Sequence, residues 1–270
     1  MVRVVVCGAT GRMGGRLVQM LRETEGFALA GAIVRPDDPR VGHDAGEVTG
    51  GGITGVLLAD RLEPALPKAD VVVDFTTHEA ALDHLRLSAG VGRPIVIGAT
   101  GFTLTDLGEV RALVAKVPCV LAPNMSVGVN VLYRLAEEAA RRLGPEYDVE
   151  IVEAHHRHKR DAPSGTALRL AETIAGVLGR ELEEVLVTGR QGIVGERPAG
   201  AIGVQAVRGG DIVGDHTVIF AGPGERLELV HRAHSRDNFA RGALRAARWV
   251  VGQPPGLYDM QDVLGLRART

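Results

Sequence analysis

The stretch Val2-Arg-Val-Val-Val-Cys-Gly8-Ala-Thr-Gly11-Arg-Met-Gly14 decides the fold. Residues 2–7 form a short β-branched apolar run, which reads as a buried strand. Three glycines follow at Gly-x-x-Gly-x-x-Gly spacing, with Thr10 where the commoner dinucleotide pattern has glycine. Leu17, Val18, Met20 and Leu21 then mark the apolar face of a helix ending near Gly26. Glycines in such a turn let the backbone approach a pyrophosphate, and the helix N-terminus faces the negative charge. The stretch predicts a nucleotide loop inside a βαβ unit, closed by a second strand over 28–34.

Further strands are expected at 71–74, 94–97 and 118–121, with helical patterns over 78–90 and 103–116 between them. Alternation of strand and helix predicts a parallel sheet covered on both faces. The Gly- and Asp-rich segment 37–58 has no secure assignment. After residue 124 the pattern changes. A long helix over 127–143 leads to a strand at 148–154 and a helix over 164–178. Strand-like runs follow at 201–208, 213–220 and 226–233, joined by Gly-containing turns and read as an antiparallel sheet. The expected fold is α/β: a Rossmann-like parallel-sheet domain (1–125 with 236–270) and an α+β domain with an open mixed or antiparallel sheet (126–235). The changes of pattern near 125–127 and 235–237 mark hinge candidates.

Composition sets limits. The chain has 270 residues and a formal net charge of −2, so charge alone gives no reason to expect nucleic acid or a membrane surface as partner. Cys7 and Cys119 lie in apolar runs and read as reduced core thiols of a cytoplasmic protein. The N-terminus leads straight into a strand, without signal-peptide anatomy.

The densest chemistry lies in Glu153-Ala-His-His-Arg-His-Lys-Arg-Asp-Ala-Pro-Ser-Gly-Thr-Ala167. Five consecutive side chains, His155 to Lys159, are cationic or able to become so, and a helix opens at Ser164. Three readings fit: a solvated basic loop, a metal site using His155, His156, His158 and Asp161, or a substrate site. The substrate reading is preferred and no metal is expected. It uses the N–H and hydroxyl donors of Ser164, Gly165 and Thr166 for a carboxylate, and the histidines and Lys159 for charge and protons. His78-Glu79 with His84 has i, i+6 spacing, wrong for a zinc helix, and these are read as helix-surface residues.

The second strand ends Ile33-Val34-Arg35. Dinucleotide sites for NAD place a carboxylate there to hold the ribose 2′-hydroxyl, whereas a nearby arginine suits a 2′-phosphate. Arg35 therefore favours NADPH, with NADH possible; Asp37 and Asp38 follow closely.

The His/Lys stretch, Gly8–Gly14, Asp74-Phe-Thr, Gly98-Ala-Thr-Gly-Phe102, Asn124-Met-Ser-Val-Gly-Val-Asn130 and Gly210-Asp-Ile-Val-Gly-Asp-His216 together resemble the 4-hydroxy-tetrahydrodipicolinate reductase family, also called dihydrodipicolinate reductase. The resemblance runs nearly end to end. It implies hydride transfer from NAD(P)H to a cyclic dicarboxylate in lysine and diaminopimelate synthesis, and a homotetramer formed through the second sheet. It implies cofactor contacts at Gly8, Ala9, Thr10, Gly11, Arg12, Met13, Arg35, Phe75, Gly98, Ala99, Thr100, Ala122, Pro123, Asn124 and Met125. His155 and Lys159 would be the proton donors. His156, Ser164, Gly165, Thr166 and Thr100 would hold substrate. Ala99 and Val34 depart from common family versions, and Val34 leaves Arg35 to favour NADPH. Hinge closure would bring the two sites together. Other readings fail: no cysteine is placed for an aldehyde dehydrogenase, and no Glu-Lys-Pro motif for a sugar dehydrogenase. A non-catalytic NADPH sensor would not need His155 and Lys159 together.

Overall fold

The computed structural model describes residues 1–267. The chain forms two compact units, Met1–Val127 with Asp237–Thr270, and Gly128–Arg236. In chain order the first unit holds β1 (Val2–Cys7), α1 (Arg12–Glu23), β2 (Phe27–Ile33), α2 (Ala45–Thr49), β3 (Leu58–Ala59), β4 (Val71–Asp74), α3 (His78–Gly90), β5 (Ile95–Ile97), α4 (Leu104–Leu113) and β6 (Pro118–Leu121). The second holds nearly all of α5 (Val127–Leu143), then β7 (Asp148–His155), α6 (Gly165–Val177), α7 (Leu182–Val185), β8 (Leu186–Val187), β9 (Ile202–Arg208), β10 (Gly214–Gly222) and β11 (Glu225–Ala233). α8 (Asp237–Val250), β12 (Gly256–Tyr258) and α9 (Met260–Val263) return to the first.

The first unit is the Rossmann-like sheet that the alternating pattern predicts, seven parallel strands in the order β12-β6-β5-β4-β1-β2-β3. Its central strands are apolar on both faces because helices cover both. Val4 and Val6 of β1 pack with Leu17 and Val18 of α1 and Ala243 and Ala247 of α8, while Val5 and Cys7 pack toward Leu82 and Leu85 of α3. Each fully buried Val or Leu here stabilises the fold by roughly 1.5–3 kcal/mol. From β1 the chain runs outward through β2 and β3, then returns to β4 on the other side. The loops after β1 and β4 thus diverge and open the crevice at which such sheets bind ligands. The segment without a sequence assignment is ordered by Asp44. That residue caps α2 through Gly46 and Glu47 and also accepts from the backbone of Thr54 and Gly55.

The second sheet is mixed, in the order β11-β10-β7-β9-β8. It is the mixed form of the open sheet expected, and the antiparallel reading of the three runs holds for two of them. β10 and β11 form an antiparallel hairpin, but β9 pairs in parallel with β7, which lies between β9 and β10. A glycine turn between two strands permits a hairpin without requiring one. One face of this sheet packs on α6 through Ile151, Ile202, Val204, Val218 and Phe220 against Leu170 and Ile174. Among the described residues no helix is long and apolar enough to cross a membrane.

Candidate active site

The nucleotide crevice is shaped by what its glycines exclude. A Cβ on Gly14 would lie 2.0 Å from the Gly8 carbonyl oxygen, so α1 can sit this close to the loop only with glycine there. Gly8 has φ +78°, and a Cβ on it would press on the Phe75 carbonyl oxygen at 3.1 Å. The N-cap of α1, Gly11, offers no side-chain acceptor to the first-turn N–H groups. Those groups, at Arg12 and Met13, suit a phosphate. The N–H of Ala9, by contrast, is donated to the Ile33 carbonyl, so Ala9 contributes shape only. These residues fit the dinucleotide the sequence implies.

Thr10 donates its hydroxyl to Asp38 at 3.1 Å. Asp38 is buried, and the bidentate Arg40 guanidinium beside it holds its carboxyl well below the usual range. Arg35 is exposed at the end of β2 and paired with Asp37 at 3.0 Å. Along the same edge, the Phe75 ring covers Gly98, where a Cβ would lie 2.3 Å from it. Thr100 and Pro123 are exposed, Asn124 is half-buried, and Ala122 and Met125 are buried. Ala99 is buried in the apolar cluster beneath the sheet, so a hydroxyl at that position would enter the core.

His84 does not lie on the helix surface as expected. Its Nδ1 lies 2.5 Å from the fully buried Asp74, whose other oxygen accepts from the Thr76 N–H at 2.8 Å and hydroxyl at 2.6 Å. α3 turns its 84th residue inward over the end of β4. His78 is half-buried and paired with Asp106. Cys7 and Cys119 are free and buried, and burial pushes both thiols up, with Asp74 adding to it.

In the second unit the core-facing row of β7 reads Val149, Ile151, Glu153, His155: apolar toward one end, ionisable toward the other. Strand register sets Arg208 beside His155 and His216 beside Glu153. Helix α6 begins at this same end. Its N-cap Ser164 accepts from the Ala167 N–H, and its N–H donates to Glu153 at 3.0 Å. Glu153 is fully buried. Burial raises its pKa, but Arg208, His155 and the Ser164 N–H outweigh that and hold it below the ordinary value. The carboxylate is therefore an acceptor only, and the His155 Nδ1 at 2.6 Å carries a proton toward it. His155 consequently presents Nε2 to its surroundings. Lys159 bonds both oxygens of Asp161, at 2.9 and 2.8 Å. Burial, aided by Arg236 and the neighbouring histidines and Lys159, lowers the pKa of His156. Gly165 is exposed at the start of α6, and Thr166 is bonded to Tyr133.

Comparison with known proteins decides the family. Residues 2–125 match the model for the N-terminus of dihydrodipicolinate reductase, and 128–264 the model for its C-terminus. A 4-hydroxy-tetrahydrodipicolinate reductase of Syntrophus aciditrophicus is 54% identical over 99% of this chain and 100% of its own. One from Anaeromyxobacter dehalogenans strain 2CP-1 is 57% identical over 99% of both. The chain belongs to the dihydrodipicolinate reductase family. Its members are NAD(P)H-dependent oxidoreductases acting in lysine biosynthesis. A dipicolinate-bound dihydrodipicolinate reductase from Paenisporosarcina sp. TG-14 superposes with a TM-score of 0.77, 27% identity and 97% and 98% coverage of the two chains.

In this dihydrodipicolinate reductase family member the sequence-derived residues fall into two groups. Gly8 to Met13, Arg35, Phe75, Gly98 to Thr100 and Ala122 to Met125 all follow the C-terminal ends of strands in the first sheet. His155, His156, Lys159 and Ser164 to Thr166 gather where β7 ends and α6 begins. Glu153, Arg208 and His216 were not singled out in the sequence, yet they surround His155. The signal was present: period-two alternation puts Glu153 on the face of His155, and His216 on the face of Val218 and Phe220.

Proposed function

We propose that this chain reduces 4-hydroxy-tetrahydrodipicolinate to tetrahydrodipicolinate, with NADPH preferred over NADH. The carrying observation is the Glu153–His155 pair beside the start of α6. It fixes an imidazole by its Nδ1 and leaves Nε2 free to exchange a proton near backbone donors suited to carboxylates. The dipicolinate bound to the Paenisporosarcina relative, a planar dicarboxylate, supports the same substrate class.

When bound, the dinucleotide supplies the hydride. The Gly8–Met13 loop would hold its pyrophosphate, and Arg35 would meet a 2′-phosphate in competition with Asp37. Substrate carboxylates would accept from the Gly165 and Thr166 N–H groups and from His156. When doubly protonated, His155 would use its Nε2–H, together with the Lys159 ammonium, to stabilise negative charge developing on the substrate and then deliver the Nε2 proton, leaving the Nδ1–H tautomer. The exposed Val207 and Val230, on the sheet face turned away from α6, support self-association of that face into a tetramer. The two buried, unpaired thiols accord with a cytoplasmic enzyme.

The test is NADPH absorbance with purified protein and substrate formed in situ by condensing pyruvate with aspartate semialdehyde through the synthase. Oxidation that depends on the synthase product, and slower turnover with NADH, is expected. No oxidation while NADPH binds would refute the reading.

A further inference from the structure

The carboxylate of Glu153 has no solvent exposure and all of its partners are assigned. Oε2 meets His155 Nδ1 at 2.6 Å and Arg208 Nη1 at 2.7 Å, while Oε1 meets Arg208 Nη2 at 2.7 Å and the Ser164 N–H at 3.0 Å. Arg208 is tied down in turn, Nη2 to the Asp161 carbonyl and Nη1 to that of Val207, each at 2.7 Å. A bidentate guanidinium–carboxylate pair has a fixed plane. The imidazole bonded to that plane inherits the orientation. On its other side, a Cβ at Gly214 would lie 3.0 Å from Nε2, so glycine keeps that nitrogen clear.

We propose that Glu153 and Arg208 are positioning residues that lock His155 as the Nδ1–H tautomer and set opposed charges behind its ring. This rests on the reading of His155 as the proton donor. A lone carboxylate on Nδ1 would favour the imidazolium strongly. The guanidinium sharing that carboxylate acts in the opposite sense. The other groups around the ring are His216 on β10, which meets it edge-on, His156 and Lys159 in the loop after β7, and Asp161, bonded to Lys159. None of them shares a hydrogen bond with Nδ1. The Glu153–Arg208 pair is therefore the part of the surroundings joined to Nδ1 by hydrogen bonds.

The two charges predict opposite signs. Glu153→Gln removes the anion and leaves the cation, so the histidine limb of the kcat/KM–pH profile should move to lower pH. Arg208→Gln leaves the anion alone, so that limb should move to higher pH. Both should lower kcat by about tenfold or more while KM for NADPH stays within about twofold. A general loss of packing would move neither limb, or both in one direction, and either result overturns the proposal. If a variant does not fold, the full wild-type enzyme still decides. Nitrogen-15 NMR of its imidazoles should show His155 protonated at Nδ1 when neutral, and the Nε2–H tautomer would overturn the proposal. His155→Ala separates the two levels. Near-normal kcat in that variant refutes His155 as donor. Collapsed kcat with unmoved limbs in the other two refutes only the positioning pair.

Discussion

The rings of His155 and His216 meet edge-on, with centroids 5.2 Å apart and planes at 76°. His216 is 3% exposed, and its Nε2 lies 3.3 Å from the Ser164 hydroxyl. Burial above all, and then the nearness of His155, pushes its pKa from 6.5 down to about 3. The unfolded chain therefore binds more protons than the folded one between these values. Stability from this group is complete above about pH 6.5 and falls as pH drops toward 3, by at most about 1.4 kcal/mol per pH unit. Urea midpoints at about pH 5.5 and about pH 7.5 should differ less in His216→Asn than in wild type. Equal differences would show that the ring does not carry this linkage.

Glycine at the nucleotide loop is a matter of space. Gly14→Ala would put a methyl 2.0 Å from the Gly8 carbonyl oxygen and 2.6 Å from its carbon. Backbone must yield, so KM for NADPH should rise by about tenfold, with a stability loss of about 1–3 kcal/mol. Gly108, inside α4, is the contrast, since a Cβ there would meet nothing within 4 Å. Gly108→Ala should gain about 0.5–1 kcal/mol and leave KM unchanged. Thermal midpoints and initial rates on both variants check the pair.

The first unit was legible because its signals are local. A β-branched run, a glycine loop and an amphipathic helix adjoin in the chain, and strand and helix go on alternating through β6. What stayed hidden depends on register. Arg208 lies 55 residues from Glu153, and only the parallel pairing of β7 with β9 brings them together. The same pairing makes the sheet mixed and not wholly antiparallel, because a glycine turn carries no information on which strand will insert between two others. β12 was missed since three residues at a sheet edge give no period to read.

Cofactor preference turns on an exposed pair. Arg35 is held by Asp37 at 3.0 Å, so a 2′-phosphate must compete with a carboxylate for the guanidinium. Arg35→Ala should lower kcat/KM with NADPH by about tenfold, near the worth of one charge-assisted bond, and leave NADH within about twofold. Asp37→Asn should act in the opposite sense and strengthen the NADPH preference. Steady-state rates with both dinucleotides decide. Unchanged ratios in both variants would remove Arg35 from the site.

Lys159 is held to Asp161 by two bonds and keeps one N–H for another acceptor. Lys159→Met preserves most of the stem but removes charge and proton. It should lower kcat by at least about tenfold, with NADPH binding intact by fluorescence titration. Near-normal kcat would leave His155 alone in the donor role.

The Asp74–His84 pair should link fold to cofactor affinity. Asp74, at the end of β4, fixes the following turn through Thr76, and that turn carries Phe75, which closes on Gly8 and Gly98. His84 is the side chain that satisfies the second Asp74 oxygen. Truncation to His84→Ala leaves a buried carboxylate oxygen short of a partner, at a cost of about 1–3 kcal/mol. The turn should loosen as well, so KM for NADPH should rise severalfold while kcat at saturation stays close to wild type. His84→Asn, whose amide can donate to the same oxygen, should recover part of both losses. If His84→Ala lowers the thermal midpoint but leaves KM for NADPH unchanged, the pair supports the fold without placing the loop.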